Sequence, residues 1–155
     1  MVWFGPAGNS DSFYEEGHKR SFEMPGWLKN MGLDAYEYQC NKGVNLKPET
    51  ARQIGENCRE HGIRLSVHAP YYINLASTDK EKREKSVVYI MDTLRAARIM
   101  GADRIVVHPG YVSGVSRQEA LELALDTLSE TVRQADGEDL LSSVTVCPEV
   151  LGKNN

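Results

Sequence analysis

Ile63-Arg64-Leu65-Ser66-Val67-His68 is an apolar run that ends on an imidazole, and the chain uses the same device twice more. Ile105-Val106-Val107 ends on His108, and Val144-Thr145-Val146-Cys147-Pro148 leads to Glu149. From His68 to His108 is 40 residues, and from His108 to Glu149 is 41. Runs of this kind read as buried parallel strands, and each interval has room for a loop, a helix and the next strand. A barrel of strand–helix units gathers the C-terminal ends of its strands on one face, where its chemistry sits. Two imidazoles and a carboxylate meeting there make a three-ligand site for a divalent metal with an open fourth position.

Working outward, residues 2–5 read as a first strand and residues 33–38 as a second. Between them, residues 17–31 are weakly helical, because Pro25-Gly26 interrupts the pattern. Pro48 and Glu49 suit the first turn of a helix that runs to about residue 60, where His61-Gly62 ends it. Asp79 can cap a helix running to Met100, with Val87, Ile90, Met91, Leu94 and Ala97 as its apolar stripe and Gly101 as its stop. Residues 104–107 form the fourth strand. Ser116 caps a helix over residues 117–134, with Glu119 completing a capping box. Ala120, Leu123, Ala124, Thr127, Leu128 and Val132 are its expected buried face. Residues 144–147 form the fifth strand.

This alternation predicts an α/β architecture. Met-Gly-Leu-Asp-Ala at 31–35 is echoed by Met-Gly-Ala-Asp-Arg at 100–104, each marking a helix end and entry into a strand. Five strands and four helices fall short of a closed eight-stranded barrel, which takes about 250 residues. The chain, residues 1–155, is therefore expected to be the N-terminal part of a single barrel domain, with residues 151–155 as a loop. Its open edges would favour self-association.

Composition sets the class. The chain is 41% apolar and 26% charged, as in soluble globular proteins. No apolar run approaches the roughly 20 residues of a membrane span, and the N-terminus lacks a signal peptide, so a cytoplasmic protein without a membrane partner is expected. A net charge of −4 excludes a strongly basic nucleic-acid coat but leaves room for a local basic groove. Cys40, Cys58 and Cys147 form no C-x-x-C pair and read as small buried thiols.

Val67-His68-Ala69-Pro70-Tyr71-Tyr72-Ile73-Asn74-Leu75-Ala76 resembles the third-strand motif of the endonuclease IV family. His108-Pro109-Gly110 resembles its fourth-strand motif, and Pro148-Glu149-Val150-Leu151-Gly152-Lys153 the segment around its bridging glutamate. Phe4-Gly5-Pro6-Ala7-Gly8 fits the family's opening strand. The resemblance implies a (β/α)8 TIM barrel, here about its first five strands and four helices. It also implies a zinc-dependent hydrolase that cleaves double-stranded DNA on the 5′ side of abasic sites in base excision repair. By motif, His68, His108 and Glu149 match the ligands of one zinc of a three-zinc cluster, and Glu149 bridges to a second, which gives it a catalytic part. The remaining ligands of the cluster match nothing in these 155 residues. Tyr71 aligns with a family tyrosine that enters the DNA helix at the lesion. Tyr72 stands where some members have leucine. Lys42, in the loop after the second strand, is placed to meet a phosphate, though the loop lacks the intercalating arginine of some members.

The chemistry agrees with the likeness. Phosphodiester cleavage needs a nucleophile, neutralised phosphoryl oxygens and a stabilised leaving alkoxide, and clustered metals supply all three. A carboxylate can bridge two cations, while each neutral imidazole offers one nitrogen and needs a second-shell acceptor for the other. A lone histidine at a strand end is more often a satisfied polar residue, and a lone tyrosine pair more often packs on its neighbours. The even spacing of His68, His108 and Glu149 sets this group apart. Manganese or iron suits the same donors as zinc. Xylose-isomerase-like barrels also put histidines and carboxylates at strand ends, so a metal-dependent sugar isomerase or epimerase is the alternative, and a non-catalytic half-barrel is another. Lys80, Lys82, Arg83 and Lys85 alternate with Asp79, Glu81 and Glu84 and read as a salt-bridge-laced helix face rather than a DNA patch. His18 and His61 have no partner motif. Glu37 either orients a metal ligand or ends a strand.

Overall fold

The computed structural model describes residues 2–150, so residues 151–155 and the end of the Glu149 motif lie outside the described residues. Four parallel strands form one sheet in sequential order: β1 (Ala35–Gln39), β2 (Arg64–His68), β3 (Arg104–Val107) and β4 (Thr145–Pro148). Short helices α1 (Asp11–Glu15) and α2 (Met24–Asn30) precede the sheet, and α3 (Pro48–His61), α4 (Lys80–Met100) and α5 (Arg117–Gly137) connect its strands. Each strand–helix–strand unit adds one parallel strand at the edge, the growth pattern of a barrel wall.

Side-chain alternation divides the sheet into two faces. Leu65, Val67, Ile105 and Val107 are buried against the helices, where they meet Ile54, Ile90, Leu94 and Ala97. The intervening residues point the other way. The register sets Glu37 beside Ser66, Gln39 beside His68, His68 beside Val106, and Val106 beside Cys147. This second face carries the polar side chains and ends at the candidate site.

Helix ends follow local chemistry. Asp79 accepts from the Glu81 amide at 3.0 Å and Ser116 from the Glu119 amide at 3.1 Å, so both expected caps form. Gly62 and Gly101 close α3 and α4 in the left-handed conformation, at φ 66° and 70°. Gly55 lets α3 touch α4 at close range, because a Cβ there would run into the Met100 carbonyl.

Three expectations need correction. Residues 2–5 do not form a strand. The Phe4 carbonyl accepts from the amides of Asp34 and Ala35, the Pro6 carbonyl from Glu37, and Ala7 makes one isolated bridge with Glu37. Gly5 lies so close to the Ala35 carbonyl that no side chain fits, and Pro6 has no N–H with which to continue a ladder. Pro25 does not interrupt a helix over 17–31: it occupies the first turn of α2, where its missing N–H costs nothing, while α1 and a 3-10 turn (Ser21–Glu23) precede it. Val132 is not on the buried face of α5. It is 41% exposed, and Leu121 and Leu125 beside it are exposed too. Ala120 and Thr127 are buried as expected, Thr131 and Ala135 complete the buried stripe, and Leu123, Ala124 and Leu128 are half-buried. No helix of the described residues is long and apolar enough to cross a membrane.

Candidate metal centre

The ladder of the sheet continues past the strands into the site residues. The Cys40 amide donates to the His68 carbonyl at 3.0 Å, the Ala69 amide to Val106 at 2.8 Å, and the Glu149 amide to Val107 at 2.9 Å. His68, His108 and Glu149 are thus held by backbone at the C-terminal end of the sheet, on the face turned away from the helices. His68 is level with Val106, and His108, two residues further along, is level with Glu149 by continuation of the β3–β4 register.

The three side chains converge. His108 Nε2 lies 2.9 Å and His68 Nε2 3.3 Å from the same carboxylate oxygen, Glu149 Oε2. The two imidazoles meet edge to face with centroids 4.7 Å apart, and one donor atom from each residue falls within 4.8 Å of the others. His68 is buried, His108 half-buried and Glu149 exposed on its open side. A cavity of about 320 Å³, shared with Glu37, Gln39, Asn41 and Tyr71, opens above them.

Proton accounting shows what this arrangement wants. His68 Nδ1 is 2.9 Å from the Ala69 carbonyl, which can only accept, so Nδ1–H donates. The neutral ring then aims the Nε2 lone pair at Glu149, an acceptor facing an acceptor. Positive charge resolves the conflict, either as a second ring proton or as a metal ion. The His68 contact, and after it the His108 contact, holds the Glu149 carboxyl below its ordinary range. Two imidazole nitrogens and a carboxylate, with one ring oriented by a carbonyl, fit a divalent metal of the zinc class. Both rings contact Oε2, and neither contacts Oε1.

Glu37 stands beside the site. Its Oε2 accepts from Ser66 Oγ and its Oε1 from Gln39 Nε2, both at 3.3 Å. Tyr71 and Tyr72 are exposed at the rim, with rings 4.5 Å apart and the Tyr71 hydroxyl donating to Tyr72 at 3.5 Å. Lys42 is exposed on the β1–α3 turn and does not reach the cavity, whereas its neighbour Asn41, at φ 51°, does. The Asn41 carbonyl accepts from the Tyr71 amide at 3.2 Å, which ties that turn to the tyrosine loop.

Sequence reading missed Tyr111, which is 57% exposed and stands near the tyrosine pair. Its only sequence signal is a position three residues after His108. It also missed the docking of two loops. The Leu75 amide donates to the Pro109 carbonyl at 2.9 Å, and Gly110, at φ +107°, packs on Asn74 with no room for a side chain. The remaining histidines are structural: His18 stacks on Phe13 at 4.8 Å, and His61 packs over Gly26.

The family model for the xylose isomerase-like TIM barrel matches residues 25–155. The chain belongs to that family. Among relatives, an uncharacterized protein of Methanocaldococcus jannaschii is 30% identical over 153 residues, 99% of this chain and 52% of its own length. A probable endonuclease 4 of Aquifex aeolicus is 36% identical over 109 residues, 66% of this chain and 38% of its own. A solved D-tagatose 3-epimerase-like protein superposes with a TM-score of 0.66 at 25% identity, over 94% of this chain and 52% of that one. The chain spans about half the length, or less, of the curated relatives it matches. The α/β wall is therefore a partial barrel, and the resemblance to endonuclease IV seen in the motifs is supported by relatives of that name.

Proposed function

We propose that residues 1–155 are the N-terminal part of a single TIM-barrel domain that hydrolyses DNA phosphodiesters 5′ to abasic sites, with zinc as its metal and the cytoplasm as its location. The observation that carries this reading is the convergence of His68, His108 and Glu149 on one point beside an exposed tyrosine pair. The endonuclease 4 relatives support DNA as the partner over other phosphodiesters.

His68, His108 and Glu149 would hold the ion, and manganese suits the same donors. A bound divalent ion lowers the pKa of a coordinated water and neutralises phosphoryl oxygens. The protein's own contribution is orientation. The Ala69 carbonyl fixes the tautomer of His68, and Glu149 keeps a free oxygen for a second cation or a water. Tyr71 and Tyr72 offer flat apolar surface to the gap left by a missing base. Lys42, on its exposed turn, meets the backbone at longer range. The exposed stripe of α5 and the edge of β4, which pairs with no further strand among the described residues, support association with further barrel strands or a second copy.

The second reading is a sugar isomerase or epimerase, favoured by the D-tagatose 3-epimerase-like neighbour. Beside the metal cavity lies a polar pocket of about 400 Å³ in which Asn9 accepts from the Tyr36 hydroxyl at 2.7 Å. Metal analysis of the protein, with His68→Ala and Glu149→Ala, tests the centre. Bound zinc should fall well below one equivalent in both variants, and undiminished zinc refutes it. Cleavage of an abasic duplex against turnover of ketoses separates the readings. Metal binding with neither activity makes this segment a non-catalytic half-barrel.

A further inference from the structure

A groove of about 660 Å³, distinct from the metal cavity and lined in part by His108, lies alongside it. Its lining includes Tyr71 and Tyr72 from the β2–α4 loop, Tyr111 from the β3–α5 loop, and Asp79, Lys82 and Lys85 at the start of α4. All three tyrosines are at least half exposed. The salt-bridge reading of α4 holds for Lys80, which pairs with Glu84 at 3.4 Å on the outer side. It holds for Lys82 too, which pairs with Asp79 at 3.8 Å, and both of these residues line the groove. Lys85 has no ion pair among the described residues, and its ammonium sits 5.8 Å over the Tyr89 ring.

We propose that this groove carries the nucleic-acid strand leading away from the metal centre, with Lys82 and Lys85 meeting phosphates and Tyr111 opposing Tyr71 and Tyr72 across an unpaired base. The inference rests on the DNA reading above. Three arguments select a strand. The groove has about twice the volume of the metal cavity, more than one sugar needs. Tyrosine rings and lysine ammonium groups lining one groove are the pairing that holds single-stranded nucleic acid, because every base has a π-face and every nucleotide a charge. The walls are also fixed in advance. The Leu75–Pro109 hydrogen bond and the Gly110–Asn74 contact lock the two tyrosine loops together, so little ordering remains to oppose binding.

The test is fluorescence anisotropy of a labelled abasic duplex and a labelled single strand, titrated with the full chain between 50 and 200 mM salt. Lys82→Ala/Lys85→Ala should reduce the slope of log K against log salt by about 1.8 on duplex, since each phosphate contact contributes about 0.9. Tyr111→Ala should weaken single-strand binding roughly 5- to 100-fold with the slope unchanged. Lys80→Ala should change neither. Wild-type slope and affinity in the double variant and in Tyr111→Ala would overturn the groove assignment and leave the DNA reading standing. A zinc-loaded chain that binds no DNA at all would overturn both.

Discussion

Gly110→Ala examines the joint between the two loops that frame the metal centre and the groove. Gly110 has φ +107°, and a Cβ on it would run into Asn74 Oδ1 and lie 2.7 Å from Asn74 Cα and 2.8 Å from Cγ. Rotating the amide away relieves only part of this, because Cα belongs to the backbone. Rotation also withdraws Oδ1 from the Ala76 amide, which it accepts at 3.1 Å. Gly114 in the same loop is the control: its φ is +74°, and a Cβ there meets nothing within 4 Å. Both alanine variants bear the strain of a left-handed residue, about 1–3 kcal/mol. Only Gly110→Ala adds overpacking, about 1–3 kcal/mol, and a disturbed hydrogen bond, about 1 kcal/mol. It should therefore be less stable than Gly114→Ala by about 2–4 kcal/mol. For a chain of this size that corresponds to a Tm lower by roughly 4–16 °C. Urea unfolding followed by far-ultraviolet circular dichroism measures the gap. Equal loss in the two variants, within about 0.5 kcal/mol, would refute the idea that Asn74 holds the β3–α5 loop in place.

Asp103 lies at the opposite end of the sheet, where the hydrogen bond from Arg104, and after it the one from Arg64, lowers its carboxyl from 3.8 to about 2. Its stabilising effect is present above the ordinary value and lost as pH falls through the folded one, so Asp103→Asn should be less stable than wild type at pH 7. The difference in urea midpoint should shrink between about pH 4 and pH 2, with zinc content unchanged, and a pH-independent gap would contradict the assignment. Burial pushes the Cys40 and Cys58 thiols up to about 12, while Cys147 is only half-buried. Ellman's reagent at pH 8 should therefore titrate one thiol in the native protein and three in denaturant, and three fast thiols in the native protein would show that the α3 side of the core is open.

The residues that read correctly in the sequence are those whose local chemistry decides their fate. Asp79, Gly101 and Ser116 act where they stand, and β3 occupies the residues its apolar run marks. His68, His108 and Glu149 were legible because parallel strand–helix units have a nearly constant length, which returns each strand to the same face. Whatever depends on neighbours was hidden. Val132 belongs to an apolar stripe that would be buried only if something covered it. Pro25 reads as a breaker or a starter according to where the preceding turn ends. Lys82 and Lys85 look like ordinary members of a charged helix until the tyrosine loops close a groove over them. Tyr111 carries no motif because its role depends on where its loop docks.

The apolar pattern of this sheet repeats every two residues, so it tolerates one class of error. Sliding β3 by two positions against β2 keeps every inward side chain inward and every outward one outward. The converging His68, His108 and Glu149 side chains do not share that indifference. Such a slide moves His108 by about 6.6 Å relative to His68, far beyond the reach of a bond to one ion. A cation held at this point would act as a bolt through three laminations, admitting a single alignment among several that hydrophobicity ranks as equivalent.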